Sequence, residues 1–397
     1  MLSFMQTNTE PMDTSQVFCP NLECCARGKK GEGNIRLHDR KRQRYRCRVC
    51  KQTFGERRGT MLEGLGKPSE LIVIVIALLA YGCPIQAIVH AYGLDERTVA
   101  EWRDRAGLHC QKVHQAIVHQ GNLDLVHVQA DEIRVKGRSK VIWMGLAMMV
   151  SSRLWVAGVV SPSRDSALAD RLLMQVRACA QAAQAVLVAT DGWAAYPKSI
   201  TRAFREKVKA TPGRGRTRLQ IWKELWIVTV IKRTEKHHVV EVTRELARGT
   251  QAQAMTLLKR SAGGSVWNTA FIERLNGTFR ERLAVLTRKC RHAASRVQAL
   301  EAGMYLIGCA YNFCWPHQHV SQPAGQGEPR LLQTPAMAAH LTDHIWSMRE
   351  LLQYQIAPVP WSDQELAFRH HQLLIAQGLL KRPRGRPRKF PRVQEVL

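Results

Sequence analysis

The sequence predicts a multidomain α/β protein, and three observations carry that reading. Two cysteine pairs near the start have the spacing of a metal-held ribbon. A short helical pattern, a glycine turn and a second capped helical pattern follow. Beyond residue 124 the texture changes to period-two apolar stretches alternating with amphipathic ones, the pattern of a sheet covered by helices.

The charge balance narrows the partners. Among 397 residues, 59 Lys and Arg against 32 Asp and Glu give a formal charge of +27. A field of that sign attracts polyanions, nucleic acid first. Anionic lipid is the other candidate, but the longest apolar run, 71–80, is about half of what a membrane span needs. The N-terminus lacks a basic stretch followed by an apolar block, so no secretory signal is expected. Eleven cysteines are an odd number for a disulfide framework; a reducing, cytoplasmic compartment fits them better.

Residues 1–17 read as a flexible leader and 18–60 as a zinc ribbon. Cys47 and Cys50 form a C-x2-C knuckle, and Cys19 and Cys24 a looser C-x4-C pair, with Cys25 an alternative to Cys24. Four thiolates from two such pairs suit tetrahedral Zn²⁺. A segment this short has little core, so metal would supply much of its folding energy. The basic residues between the pairs would then face phosphates.

Residues 67–120 read as a helix-turn-helix. A buried helix over 71–81 precedes a helix that Pro84 starts and Gly93 ends. Asp95 then caps a second helix with Val99, Trp102 and Ala106 on its inner side. Its outward residues, Arg97, Thr98 and Arg103 among them, are placed to reach bases or phosphates of double-stranded DNA.

The next segment carries carboxylates. Residues 125–135, 141–150 and 153–160 read as three strands of an antiparallel meander, 165–183 as a helix, and 185–190 as a buried strand. Asp131 lies within the first strand, and Asp191 follows the fourth, at the strand edge where active sites gather. Glu132 should point to the opposite face from Asp131. A long helix is expected over 267–289, capped by Asn268 or Thr269, with Glu273, Asn276 and Arg280 beside its apolar stripe. If the two strands are neighbours and that helix crosses them, Asp131, Asp191 and Glu273 converge, an oxygen-rich place suited to Mg²⁺ or Mn²⁺. Without metal, the acids would be held by Arg and Lys. His237 and His238 should point apart along a strand and are read as structural.

Taken together, QADE, TDGW and the helix with Asn268, Glu273, Arg274, Asn276 and Arg280 resemble the DDE transposases of small bacterial insertion sequences, in particular the group with an N-terminal zinc ribbon. CPN…C…YRCRVCKQTF and LTRKC extend the resemblance, which covers residues 19 to about 315. It implies an RNase H-like (retroviral-integrase-like) catalytic domain over 124–315, with Asp131, Asp191 and Glu273 as the metal-binding triad. It further implies cleavage at the element's terminal inverted repeats, followed by attack of the freed 3′-hydroxyl on target DNA in a nucleoid-associated bacterial protein. Joining two ends leads to the expectation of a homodimer or higher assembly on DNA. Asn276, Arg280 and Lys289, with Arg282, Arg288, Arg291 and His292, would contact the DNA around the reacting bond.

Residues 320–380 lie beyond the resemblance and read as a Gly/Pro/Gln linker and a helical extension begun by Thr334 and Pro335. The basic tail over 381–392 resembles an AT-hook, with Arg384 and Arg386 flanking Gly385 for entry into a narrow minor groove. A DNA-binding regulator without catalysis would share the ribbon, the helix-turn-helix and the tail, so only the three acids separate it from the enzyme. A nuclease that stops at hydrolysis is the third reading.

Overall fold

The structure, a computed structural model, describes residues 14–137, 141–182, 184–208, 217–236, 238–286, 296–321 and 330–377. The leader up to residue 13, the loop 209–216, His237, residues 287–295, the linker 322–329 and the AT-hook-like tail lie outside the described residues. The chain divides into two compact units: the segment up to Gly59 with the segment from Ala357 onward, and Thr60–Ile356.

The first unit opens on a three-stranded antiparallel sheet, β1 (Ile35–Asp39), β2 (Arg44–Cys47) and β3 (Thr53–Gly55). Its small core of Ala26, Ile35, Tyr45 and Phe54 surrounds the buried Cys19, Cys24 and Cys47. So few apolar side chains cannot hold a fold of this size unaided.

The second unit begins with α1 (Ser69–Ala80), α2 (Ile85–Tyr92) and α3 (Glu96–Ile117). Gly93 ends α2 in the left-handed conformation at φ 60°. Asp95 caps α3 by accepting the N–H groups of Arg97 and Thr98 at 2.8 and 3.3 Å. Val99, Trp102 and Ala106 are buried, as the sequence pattern predicts.

The strands β4 (Val126–Lys136), β5 (Val141–Met149) and β6 (Leu154–Ser161) form the expected antiparallel meander. Then come α4 (Ser166–Cys179), capped by Asp165, β7 (Val186–Asp191) and α5 (Ala195–Ala203). A small hairpin, β8 (Arg205–Val208) with β9 (Arg218–Ile221), leads to β10 (Leu225–Glu235) and β11 (His238–Arg248). The six-stranded mixed sheet runs β11-β10-β7-β4-β5-β6, with β7 parallel to both β4 and β10. Helices α6 (Gln251–Arg260), α7 (Ala270–Arg282) and α8 (Val297–Cys309) follow. A π-helical turn, Ala310–Cys314, carries α8 to Trp315, whose extended backbone suits the residue before Pro316.

The outer strand β6 is sealed by side chains. Asn312 accepts from the Trp155 N–H at 2.9 Å and donates to its carbonyl at 2.8 Å, replacing a strand neighbour. A register shift between Ala147 and Met148 leaves Val156 out of the ladder, and its carbonyl accepts from the rings of His114 and His119 instead.

One expectation is corrected. The helix expected over 267–289 ends at Arg282, because Leu283 turns extended and lays its side chain on Gly303 of α8, while Arg282 lies over the rings of Tyr81 and Trp315. Asn268 caps its first turn as expected, its Oδ1 accepting from the Ala270 N–H at 3.0 Å; Thr269 does not, and a strand residue satisfies the next two N–H groups, as described below. The three helices that open this unit adjoin the sheet. They share one core, and α3 meets α8 so closely that a Cβ on Gly107 would lie 2.2 Å from the Ala302 carbonyl oxygen.

The C-terminal extension is divided as well. In α9 (Pro335–Ala338), Thr334 caps the first turn as its sequence predicts; with α10 (Met348–Gln353) it adds Ala336, Leu351 and Leu352 to the second unit's core. Helix α11 (Asp363–Ala376), opened by a Ser362–Glu365 capping box, belongs to the first unit. No described helix is long and apolar enough to cross a membrane.

Candidate active site and metal centres

The candidate active site forms where β7 ends. The last pair between β4 and β7 is Ala130 with Thr190, so Asp131 and Asp191 stand abreast one residue further on. Both line a cleft of about 430 Å³, together with Arg164, Trp193, Lys232, Thr269 and Glu273. All three acids singled out by the sequence therefore face one space.

Helix α7 is fixed to β4 at two points. Gln129, fully buried on β4, accepts the free N–H groups of Phe271 and Ile272 at 3.1 and 3.0 Å through Oε1. Its Nε2 donates to the Asn268 carbonyl at 2.7 Å. One helical turn beyond, the amide of Asn276 donates to Asp131 Oδ2 at 2.8 Å. Residues 129 and 131 share a face because side chains alternate along a strand, and that face is the one α7 covers. The hydroxyl of Thr269, free from capping, donates to Glu273 Oε1 at 2.6 Å.

Basic side chains hold the acids, as like charges gathered in so cationic a protein would lead one to expect. Lys232 of β10 pairs with Glu273 Oε1. Arg164 pairs with Glu132 and reaches Asp191 Oδ2 at 3.5 Å, its guanidinium lying 5.2 Å from the Trp143 ring centre and 4.7 Å from that of Trp193. Burial pushes the Asp131 carboxyl up to about 7, with Glu132, Asp191 and Glu273 adding to the effect. Burial also raises Glu132, although Tyr196 and Arg164 oppose it.

Glu132 requires a correction. Alternation does turn it away from α7, and its Oε2 accepts from the Tyr196 hydroxyl of α5 at 2.8 Å. It is nevertheless not remote from the site. Oxygens of Asp131, Glu132 and Asp191 lie within 4.8 Å of one another, because β7 stops here and both faces of β4 meet around the open edge. This trio could hold a metal ion. Glu273 lines the same cleft but is held by Lys232 and Thr269.

The second centre is the ribbon. Sulfurs of Cys19, Cys24, Cys47 and Cys50 all lie within 4.8 Å of one another, Cys19 to Cys50 at 3.7 Å and Cys24 to Cys47 at 3.9 Å. A metal bonded to sulfur at about 2.3 Å with tetrahedral angles sets such edges near 3.8 Å, so the four could hold one ion. Cys25 is exposed, which decides between it and Cys24. Burial pushes the Cys19 thiol up and Cys24 up to about 11, so these sulfurs ionise readily only beside a cation.

The residues expected on DNA divide three ways. Arg97 is exposed and Thr98 half-buried at the start of α3, and the Arg103 guanidinium pairs with Asp104. Asn276 is 1% exposed and meets Asp131 rather than solvent, which corrects its placement among surface contacts. Arg282 is engaged by Tyr81 and Trp315; Lys289, Arg288, Arg291, His292, Arg384 and Arg386 lie outside the described residues, while Arg280 lies within α7.

The sequence reading missed Gln129, Arg164, Tyr196 and Lys232. Gln129 carried a signal, since it sits two positions before Asp131 on the same strand face. No family model matches the chain, and no curated protein compared with it matches.

Proposed function

We propose that this chain is a DNA transposase of the DDE type, cleaving DNA at the ends of an insertion sequence and joining them to target DNA. The observation that carries the reading is the position of Asp131, Asp191 and Glu273 around one cleft in a protein of charge +27. The sheet order supports it. Counting from β4, the first Asp lies on the first strand and the second at the end of the fourth, its neighbour in the sheet, with the Glu on a later helix, the arrangement that the resemblance implies.

Asp131, Asp191 and Glu273 would hold Mg²⁺ or Mn²⁺, and the four cysteines Zn²⁺. Bound divalent cations supply the charge that activates an attacking oxygen and stabilises a leaving one in phosphoryl transfer. The chain's own contribution is positional. Gln129 and Asn276 keep the helix of the third acid in register with the strand of the first. Arg164, fixed between Glu132 and two tryptophans, offers a cation at the cleft wall for a DNA phosphate. Residues 85–117 and the ribbon would bind the terminal repeats, and the tail would add minor-groove affinity. Two ends must be brought together, so the working species is a dimer or a higher assembly on DNA.

A strand-transfer assay on the full chain with Glu273→Gln tests this. Loss of both cleavage and joining, with DNA retention unchanged, is expected. Undiminished joining removes the catalytic assignment and leaves a DNA-binding regulator.

A further inference from the structure

We infer that Lys232 is a displaceable counter-ion for Glu273, which keeps this carboxylate apart from the other acids until a divalent cation enters and then turns to a phosphate of the DNA. The inference rests on the metal-dependent reading of the same cleft.

Four observations lead to it. First, oxygens of Asp131, Glu132 and Asp191 already form a group within 4.8 Å, and Glu273 is not part of it although it lines the same cleft. Second, Lys232 and Thr269 both engage Oε1 of Glu273, so the side chain is directed by these two partners. Third, Lys232 is well placed to move between carboxylate and substrate. It stands two residues beyond Val230, the strand partner of Asp191, and lines the cleft itself.

The fourth is a contrast between the two ion pairs of the site. Arg164, 35% exposed itself, bonds Glu132, whose side chain is 2% exposed, and lies against two indole rings. Lys232 is about as exposed, at 34%, but its partner acid Glu273 is 46% exposed. A pair so open to water contributes little to stability and exchanges readily. Lysine also suits the task chemically. Its ammonium is a point charge on a flexible stem, able to swing from carboxylate to phosphate without the fixed geometry of a guanidinium.

The test is a titration of the zinc-loaded full chain with Mn²⁺, followed by electron paramagnetic resonance, without DNA. Native protein, Lys232→Met, Lys232→Arg and Asp131→Asn are compared. Removing the competing ammonium should tighten Mn²⁺ about two- to fivefold, the worth of an exposed ion pair; Lys232→Arg should bind as the native chain does. Unchanged or weaker binding by Lys232→Met overturns the inference while leaving a metal site in place. If no Mn²⁺ is lost in Asp131→Asn, the metal-dependent reading fails, and the role of Lys232 with it. In a second arm, the salt dependence of DNA binding is measured with Mn²⁺ present. Lys232→Met should lower the slope by about one counterion; an unaltered slope overturns the phosphate half of the proposal.

Discussion

Asn276 of α7 donates a hydrogen bond of 2.8 Å to Oδ2 of Asp131 on β4. The bond joins residues 145 positions apart, and it lies within one helical turn of Glu273. The carboxylate of the first acid is thus aimed by the helix that carries the third. Asn276→Ala should weaken Mn²⁺ binding and strand transfer together while leaving retention of DNA fragments unaltered. Reduced DNA retention with normal Mn²⁺ binding would instead return Asn276 to the surface contacts from which its burial removes it.

Gln129 leads to a second expectation. It satisfies two N–H groups of α7 and one carbonyl before it, and its own side chain is fully buried. Leaving such groups unpaired costs about 1–3 kcal/mol. Gln129→Leu should therefore lower the melting temperature by several degrees, at roughly 2–4 °C per kcal/mol for a unit of this size. Gln129→Glu keeps the acceptor but loses the donor and adds charge beside Asp131, and should weaken Mn²⁺ binding less than Gln129→Leu only at low pH. Melting curves and Mn²⁺ titrations at pH 5.5 and 8 check both.

These two bonds mark where the sequence stops being legible. Period and punctuation suffice for the turn between α2 and α3, where Gly93 and Asp95 act on their neighbours, and for the meander, whose strands differ from their surroundings. Asp131 and Asp191 could be paired conditionally, since each sits at a strand position that can be counted. The partner of Gln129 cannot be counted, because it is 142 residues away and any buried amide could play the part. The end of α7 at Arg282 has the same character: nothing local stops the helix, and the reason lies in Tyr81, Gly303 and Trp315. Helix α5 is a different kind of omission. Tyr196, Ile200 and Ala203 recur at helical spacing and are buried, so the pattern was present and overshadowed by the strand before it.

The pH dependence of stability contains two opposed contributions. Asp131 is raised to about 7 in the folded chain, so its protonated form is favoured there; without a cation, stability falls as pH climbs from the ordinary carboxylate range through about 7. His127, which burial pushes down to about 3, and His114, pushed well below its usual value, act the other way: stability is lost as pH drops through the ordinary histidine range. Mg²⁺ binds the ionised acids and should relieve the first contribution alone. The rise in melting temperature on adding MgCl₂ is expected to be larger at pH 8 than at pH 5.5. An equal rise at both would place the ion elsewhere.

At Gly107 the expectation concerns packing. A Cβ there would lie 2.2–2.5 Å from backbone atoms of Ala302, and backbone cannot rotate aside as a side chain can. Gly107→Ala forces α3 and α8 apart at the place where the first three helices of this unit join the sheet's helical cover. Overpacking of this kind costs about 1–3 kcal/mol, more when the obstacle is rigid. The variant should melt well below the native chain. Gly277→Ala, which meets nothing within 4 Å on the same count, should not, despite being a helical glycine as well.

The ribbon offers a test that needs no activity. Backbone N–H groups of Arg27 and Gly28 bond the carbonyls of Cys24 and Cys19, so the first cysteine pair fixes both residues. Arg27 then donates to the Val359 carbonyl at 2.8 Å and lies 4.9 Å from the Trp361 ring centre, while Arg369 of α11 covers that ring at 3.8 Å and pairs with Glu23 at 2.6 Å. Among the described residues helix α11 buries no side chain fully, and these contacts are among those that hold it. Gly28 permits the approach, since a Cβ there would lie 1.8 Å from the Pro358 oxygen. If Zn²⁺ organises the four thiolates, its removal loosens Arg27 and Gly28 and should release α11. Limited trypsin digestion should then cut after Arg369 slowly in the zinc-loaded chain and quickly after chelation, with the Thr60–Ile356 unit surviving in both. Gly28→Val should mimic chelation without loss of zinc. Equal cleavage rates with and without the chelator would show that the cysteine cluster and α11 are independent.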